Sequence, residues 1–132
     1  MYVTGFPRRL LRLEGLIIFL LSVQLYSEFG ESWLLFVLLF LIPDISMLGY
    51  LAGATSGAIL YNAAHTYIFP AGLATLGYMI DQPFLYSLAL IWAAHIGLDR
   101  LIGYGLKYSL GFRETHLGRI GGTVPEEEVV GQ

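Results

Sequence analysis

Apolar runs of membrane-spanning length alternate with short polar breaks along this chain of 132 residues. Leu10 to Tyr26, Ser32 to Leu51, Ala54 to Met79 and Phe84 to Leu106 are apolar almost throughout. Glu28 to Glu31, the pair Ala52 and Gly53, and Asp81 to Pro83 separate them. A bilayer core of about 30 Å is crossed by about 20 helical residues. The pattern therefore predicts an all-α polytopic membrane protein, a four-transmembrane-helix bundle with spans at 10–26, 32–51, 54–79 and 84–106. The bundle domain occupies 1–120, and the acidic stretch 121–132, which lacks apolar periodicity, is expected to be a disordered tail.

Composition sharpens this picture. Apolar residues make up 56% and charged residues 13% of the chain, against roughly a quarter charged in soluble domains. No Lys or Arg occurs between Leu13 and Asp99, and the acids there are Glu14, Glu28, Glu31, Asp44, Asp81 and Asp99. Such a stretch cannot cover a water-facing surface. Basic residues instead flank the spans: Arg8, Arg9 and Arg12 before the first, Lys107, Arg113 and Arg119 after the last. By the positive-inside rule both termini are cytoplasmic, in the cell's inner (plasma) membrane, and the lipid bilayer is the principal partner. The first span resembles a signal peptide but lacks a small-residue cleavage site, so it is expected to be retained. Seven scattered bases make no phosphate-binding patch, which excludes nucleic acid as a partner. The absence of cysteine excludes disulfides, thiolate metal sites and a cysteine nucleophile.

Depth along the spans brings the ionisable residues to one layer. Glu14 in span one, Asp44 in span two, Asn62 and His65 in span three, and His95 and Asp99 in span four all fall in the cytoplasmic half. Asn62 and His65 are three apart, and His95 and Asp99 four apart, so each pair shares a helix face. Arg100 points elsewhere and is expected to snorkel to the head groups. Pro43 and Pro70 deprive the carbonyls of Leu39 and Thr66 of their helical partners, which suggests kinks and a cavity beside the cluster.

Intramembrane ionisable groups are costly and usually mark a functional site. Asp44, His65, His95 and Asp99 are the candidate catalytic residues. They can bind a divalent metal, a cofactor the sequence leaves open, or act as His–Asp proton-transfer couples. No compact ligand motif such as HExxH selects the metal version. Asn62, Tyr50, Tyr61 and Glu14 are candidate substrate-binding residues. For Glu14, pairing with a neighbouring Arg is the plainer reading, and Asn62 can equally serve as inter-helix glue. Ser46 and Thr66 are near enough to be considered as nucleophiles, and His116 in the tail is an outside candidate. Gly53 and Gly57 form a small-x3-small ridge through which the chain can pack on a neighbouring span or form a homo-oligomer.

Six segments carry a resemblance to a known family: residues 11–15, 43–50, 61–67, 94–100, 103–108 and 115–118, among them Pro43-Asp44-Ile45-Ser46 and His95 to Arg100. From about Leu10 to Ile120 the chain resembles a family of small bacterial integral membrane proteins catalogued only as a domain of unknown function. The resemblance implies a four-helix membrane fold and no particular activity. The function expected from the residues is therefore a membrane-embedded enzyme acting on a lipid-like or apolar small molecule. A proton-coupled small transporter, or a non-catalytic membrane subunit or scaffold, is the alternative.

Overall fold

The computed structural model describes residues 2–122. Its elements are α1 (Gly5–Phe29), α2 (Trp33–Leu39), a 3-10 helix (Ile42–Ala52), α3 (Ala54–Ala64), α4 (Ile68–Met79), α5 (Pro83–Ile102), and a small hairpin of β1 (Glu114–Thr115) and β2 (Gly118–Arg119). Three stretches are long and apolar enough to cross a membrane: Gly5–Phe29, Trp33–Ala52 and Pro83–Ile102. Burial is inverted relative to a soluble domain. Leu13, Leu20, Leu34, Val37, Leu38 and Leu48 face outward, while Ser22, Ser87, His65, His95 and Arg100 lie inside. An apolar exterior on this scale is unusual for a water-facing domain and suits a membrane protein.

The structure departs from four uniform spans at three places, each with a local cause. The second predicted span changes character midway. Ser32 caps α2 by accepting the Leu35 N–H at 3.2 Å, but Pro43 cannot donate to the Leu39 carbonyl. The chain tightens into a 3-10 helix that runs to Ala52. The third predicted span is two half-helices rather than one continuous helix. α3 ends at Ala64 and α4 starts at Ile68, because Pro70 sits in the first turn of α4, where its missing N–H is tolerated. Neither half is long enough to cross a bilayer alone. The fourth predicted span stops at Ile102, not Leu106. Gly103 adopts φ +96°, and the Tyr104 and Gly103 N–H groups close back on the Asp99 and Arg100 carbonyls, a Schellman end.

α5 is the central post. α1 packs along one side of it and α4 along another, while the 3-10 helix and α3 pair with each other. Glycine permits the α1–α5 contact: a Cβ on Gly97 would lie 2.7 Å from the Phe19 nitrogen, and one on Gly15 would lie 2.4 Å from the Arg100 Cβ. Gly57 serves the same end within the chain, since its Cβ would meet the Tyr50 ring at 2.3 Å. That face of the small-residue ridge is thus covered by Tyr50. Gly53, by contrast, has open space around it and φ +119°, as the turn into α3 requires.

Beyond α5 the chain folds back over the same end of the bundle. Val3 N–H donates to the His116 carbonyl, His116 N–H to the Leu106 carbonyl, and Tyr108 N–H to the Glu114 carbonyl. Thr115 and Leu117 are fully buried. Of the expected disordered tail, 121–132, Gly122 donates its N–H to the Arg119 carbonyl, and residues 123–132 lie outside those described.

Candidate functional site

The breaks in the second and third segments are what build the site. Three elements each deliver side chains to one point: Asp44 from the first turn of the 3-10 helix, His65 from the end of α3, and His95 with Asp99 from α5. Asp44 Oδ1 lies 3.2 Å from His65 Nε2 and 3.3 Å from His95 Nε2. Asp99 Oδ2 lies 3.5 Å and 3.4 Å from the same two nitrogens. The nitrogens themselves are 3.1 Å apart. Both imidazoles are buried, while 31% of the Asp44 side chain and 13% of that of Asp99 remain accessible.

The surroundings fix these side chains. His65 Nδ1–H donates to the Tyr61 carbonyl at 2.8 Å, which fixes the ring and turns Nε2 toward the cluster. Tyr61 stacks on the His65 ring at 3.7 Å and 10°. Phe40 packs edge-on against His95. His95 Nδ1 is buried with no hydrogen-bond partner among the described residues.

Breaking α3 leaves carbonyls without their helical partners, and side chains of α5 supply donors to two of them. The Trp92 indole N–H reaches the Ala64 carbonyl at 2.6 Å, and Arg100 Nη2 reaches the His65 carbonyl at 2.9 Å. Arg100 is therefore not at the head groups as expected. It is buried behind the cluster, its second arm on the Tyr104 carbonyl at 3.3 Å.

The other predicted site residues divide. Tyr61 is part of the site wall. Tyr50 and Tyr61 both face the Lys107 ammonium, at 5.5 and 4.3 Å from ring centre to Nζ, and Phe112 closes the cage at 3.3 Å. Asn62 is committed elsewhere: its amide donates to the Lys107 carbonyl at 2.8 Å and accepts the Lys107 N–H at 2.6 Å. It fastens the returning tail and so positions Lys107. Glu14 is exposed on α1 and does not join the four-group cluster. Ser46 donates to the Pro43 carbonyl at 2.6 Å, as a helix-start hydroxyl does. His116 is not solvated: its Nδ1 accepts the Leu106 N–H at 2.8 Å, and burial lowers its pKa. It braces the tail rather than joining the cluster.

Two cavities lie near the cluster, one of them lined by residues of it and the other by their chain neighbours. One, of about 200 Å³, is lined by Asp44, Asp99, Tyr61, Tyr104, Lys107 and Phe112. The other, of about 470 Å³, is almost wholly apolar, with Leu39, Pro43, Ala64, Leu88, Ile91 and Trp92 in its wall. Residues three apart align on a 3-10 helix. Pro43 and Ser46 accordingly face the apolar cavity, and Asp44 and Met47 the polar one. Burial pushes the Lys107 ammonium down to about 8.

Lys107, Arg100 and Trp92 were not legible as site residues. Lys107 reads as one more interfacial base, and its place depends on a backbone clasp from a residue 45 positions away. Trp92 carried a weak signal, one helical turn before His95 on a neighbouring line of α5.

A family model described as Domain of unknown function (DUF4260) matches residues 8–120. Neither the curated proteins nor the solved structures contain a match to the chain.

Proposed function

The chain belongs to the DUF4260 family, and we propose that it is a membrane-embedded, metal-dependent enzyme of the cell's inner membrane. Asp44, His65, His95 and Asp99 hold one divalent transition-metal ion on the cytoplasmic side. The observation that carries this is the spacing of their donor atoms. A tetrahedral ion with bonds of about 2.0–2.1 Å keeps its donors about 3.3 Å apart, the bond length multiplied by about 1.63. Five of the six separations run from 3.1 to 3.5 Å. Four donor atoms converge within 4.8 Å of one another. Two imidazoles and two carboxylates suit zinc and its first-row neighbours. The two Nε2 atoms, 3.1 Å apart, are close enough to share a proton or, with the carboxylates, a cation. The His65–Tyr61 bond supplies the outer-shell support that metal-ligating histidines usually have.

Such an ion lowers the pKa of a bound water and polarises an ester or phosphoryl oxygen. Hydrolysis of a lipid-like molecule is the reaction class that fits an ion placed between an apolar and a polar cavity. Asp44, the most accessible of the four donors, is the one able to yield a coordination position or take a proton from the water. A second reading has its own observation: four protein donors complete a tetrahedron, as in closed sites. A closed site leaves no position for a substrate, which favours an ion that is resident or carried rather than catalytic. Against it, the larger cavity beyond the cluster is apolar and gives a hydrated ion no onward partner.

The test is titration of purified protein with zinc, backed by elemental analysis. One ion per chain is expected, with Asp44→Asn, His65→Ala, His95→Ala and Asp99→Asn each weakening binding by at least about 100-fold. Unchanged binding in all four variants would overturn the site. Zinc flux into proteoliposomes without hydrolytic activity would favour carriage.

A further inference from the structure

We infer that the site binds an amphiphile with an anionic head group, its alkyl chain in the apolar cavity and its head beside Lys107. This deepens the metal-enzyme reading and rests on it.

The first argument is the division of the cavities along α5. Leu88, Ile91 and Trp92 line the apolar cavity, His95 follows one turn on, and Asp99 one turn further lines the polar one. The boundary between an oily and a charged compartment thus falls at the cluster itself. The volume of about 470 Å³ lies within the range of small-molecule pockets. Its one hydroxyl, on Ser46, already donates to the Pro43 carbonyl, so the wall offers an occupant no free side-chain donor. An alkyl chain fills such a space without losing hydrogen bonds. Because three stretches of the chain are long and apolar enough to cross a bilayer, lipid chains are the apolar material at hand.

Charge sets the head group. Asp44 and Asp99 contribute two negative charges, which a bound divalent ion cancels. What remains facing or backing the polar cavity is Lys107 and Arg100, both cationic. Arg100 is occupied by the His65 and Tyr104 carbonyls. The Lys107 Nζ contacts shown are aromatic faces, which leave its N–H donors available to an anion entering from the cavity. The Asn62 clasp on its backbone holds it in place. Phosphate and carboxylate heads share the required chemistry, since both are oxygen anions able to meet Lys107 and the ion together.

The experiment uses zinc-loaded full-length protein in zwitterionic-lipid nanodiscs, on a Trp33→Phe background that leaves Trp92 as the single indole. Chain-brominated dodecyl phosphate is titrated while Trp92 fluorescence is followed, and zinc affinity is measured separately for every variant. Saturable quenching is expected. Brominated dodecanoate should behave alike and brominated dodecanol bind at least about tenfold more weakly, as should the phosphate to Lys107→Met. Inorganic phosphate should compete only weakly, because it lacks the chain. Leu73→Trp, also on the Trp33→Phe background and read by calorimetry, should fill the cavity and abolish binding of the long-chain phosphate while zinc binding persists. Equal binding of alcohol and phosphate, or an unaffected Lys107→Met, overturns the inference while leaving the metal site standing. Failure of the wild-type chain to bind zinc overturns the metal reading, and the charge argument for the head group with it.

Discussion

Replacing Gly97 with alanine would drive a methyl group into the backbone of α1. The new Cβ would lie 2.7 Å from the Phe19 nitrogen, 2.8 Å from the Gly15 carbonyl oxygen and 3.1 Å from the Phe19 Cα, where ordinary contact begins at 3.4 Å. The neighbours are backbone atoms, so no side chain can swing aside. The helices must part by about 0.7 Å at the crossing, the shortfall against the nearest atom. Overpacking of this kind costs about 1–3 kcal/mol. Alanine's better helix propensity returns about 0.5–1 kcal/mol, so a net loss centred on about 1 kcal/mol, and at most about 2.5 kcal/mol, is expected. His95 and Asp99 lie two residues to either side of Gly97, on the opposite face of α5. The separation therefore moves α1 and leaves zinc affinity intact. Gly72→Ala is the control, because its Cβ meets nothing within 4 Å and stability should hold or rise. Reversible unfolding in mixed micelles reads both variants. A Gly97→Ala protein as stable as the parent, or a Gly72→Ala protein equally weakened, would refute the account of this crossing.

Trp92→Phe removes the only described donor to the Ala64 carbonyl and should cost about 1–3 kcal/mol in the same unfolding assay. Asn62→Leu deletes both bonds to the Lys107 backbone, so limited proteolysis should cut residues 103–122 faster while the helical core persists. Zinc at 100 times its dissociation constant should stabilise the fold by about 2.7 kcal/mol, and a chelator should abolish that gain in a melting experiment. Lys107 has a folded pKa of about 8, below its usual 10.5, so the unfolded chain binds more protons between those values. Stability should therefore rise as pH goes from about 8 to about 10.5, and Lys107→Met should flatten that rise. A parent protein with no such slope would contradict the caged placement of Lys107.

What the chain determines by itself is whatever follows from composition and local periodicity. The absence of Lys and Arg from Leu13 to Asp99 bars a water-facing surface, whatever the packing. Helical rise alone brings Asp44, His65, His95 and Asp99 to one depth, and Pro43 and Pro70 mark the breaks because a missing N–H acts within one turn. Tertiary structure decided which polar groups actually meet. Depth says nothing about azimuth, so Glu14 shares the layer yet faces outward, while Arg100, expected at the head groups, turns in to satisfy a carbonyl that exists only because α3 breaks. Gly57 looks like an oligomer motif until Tyr50 is found lying on it, and Asn62 looks like a ligand until the tail returns to claim its amide. These outcomes depend on contacts between residues far apart in the chain. Side-chain direction there is set by whichever neighbour leaves a buried donor or acceptor in need of a partner.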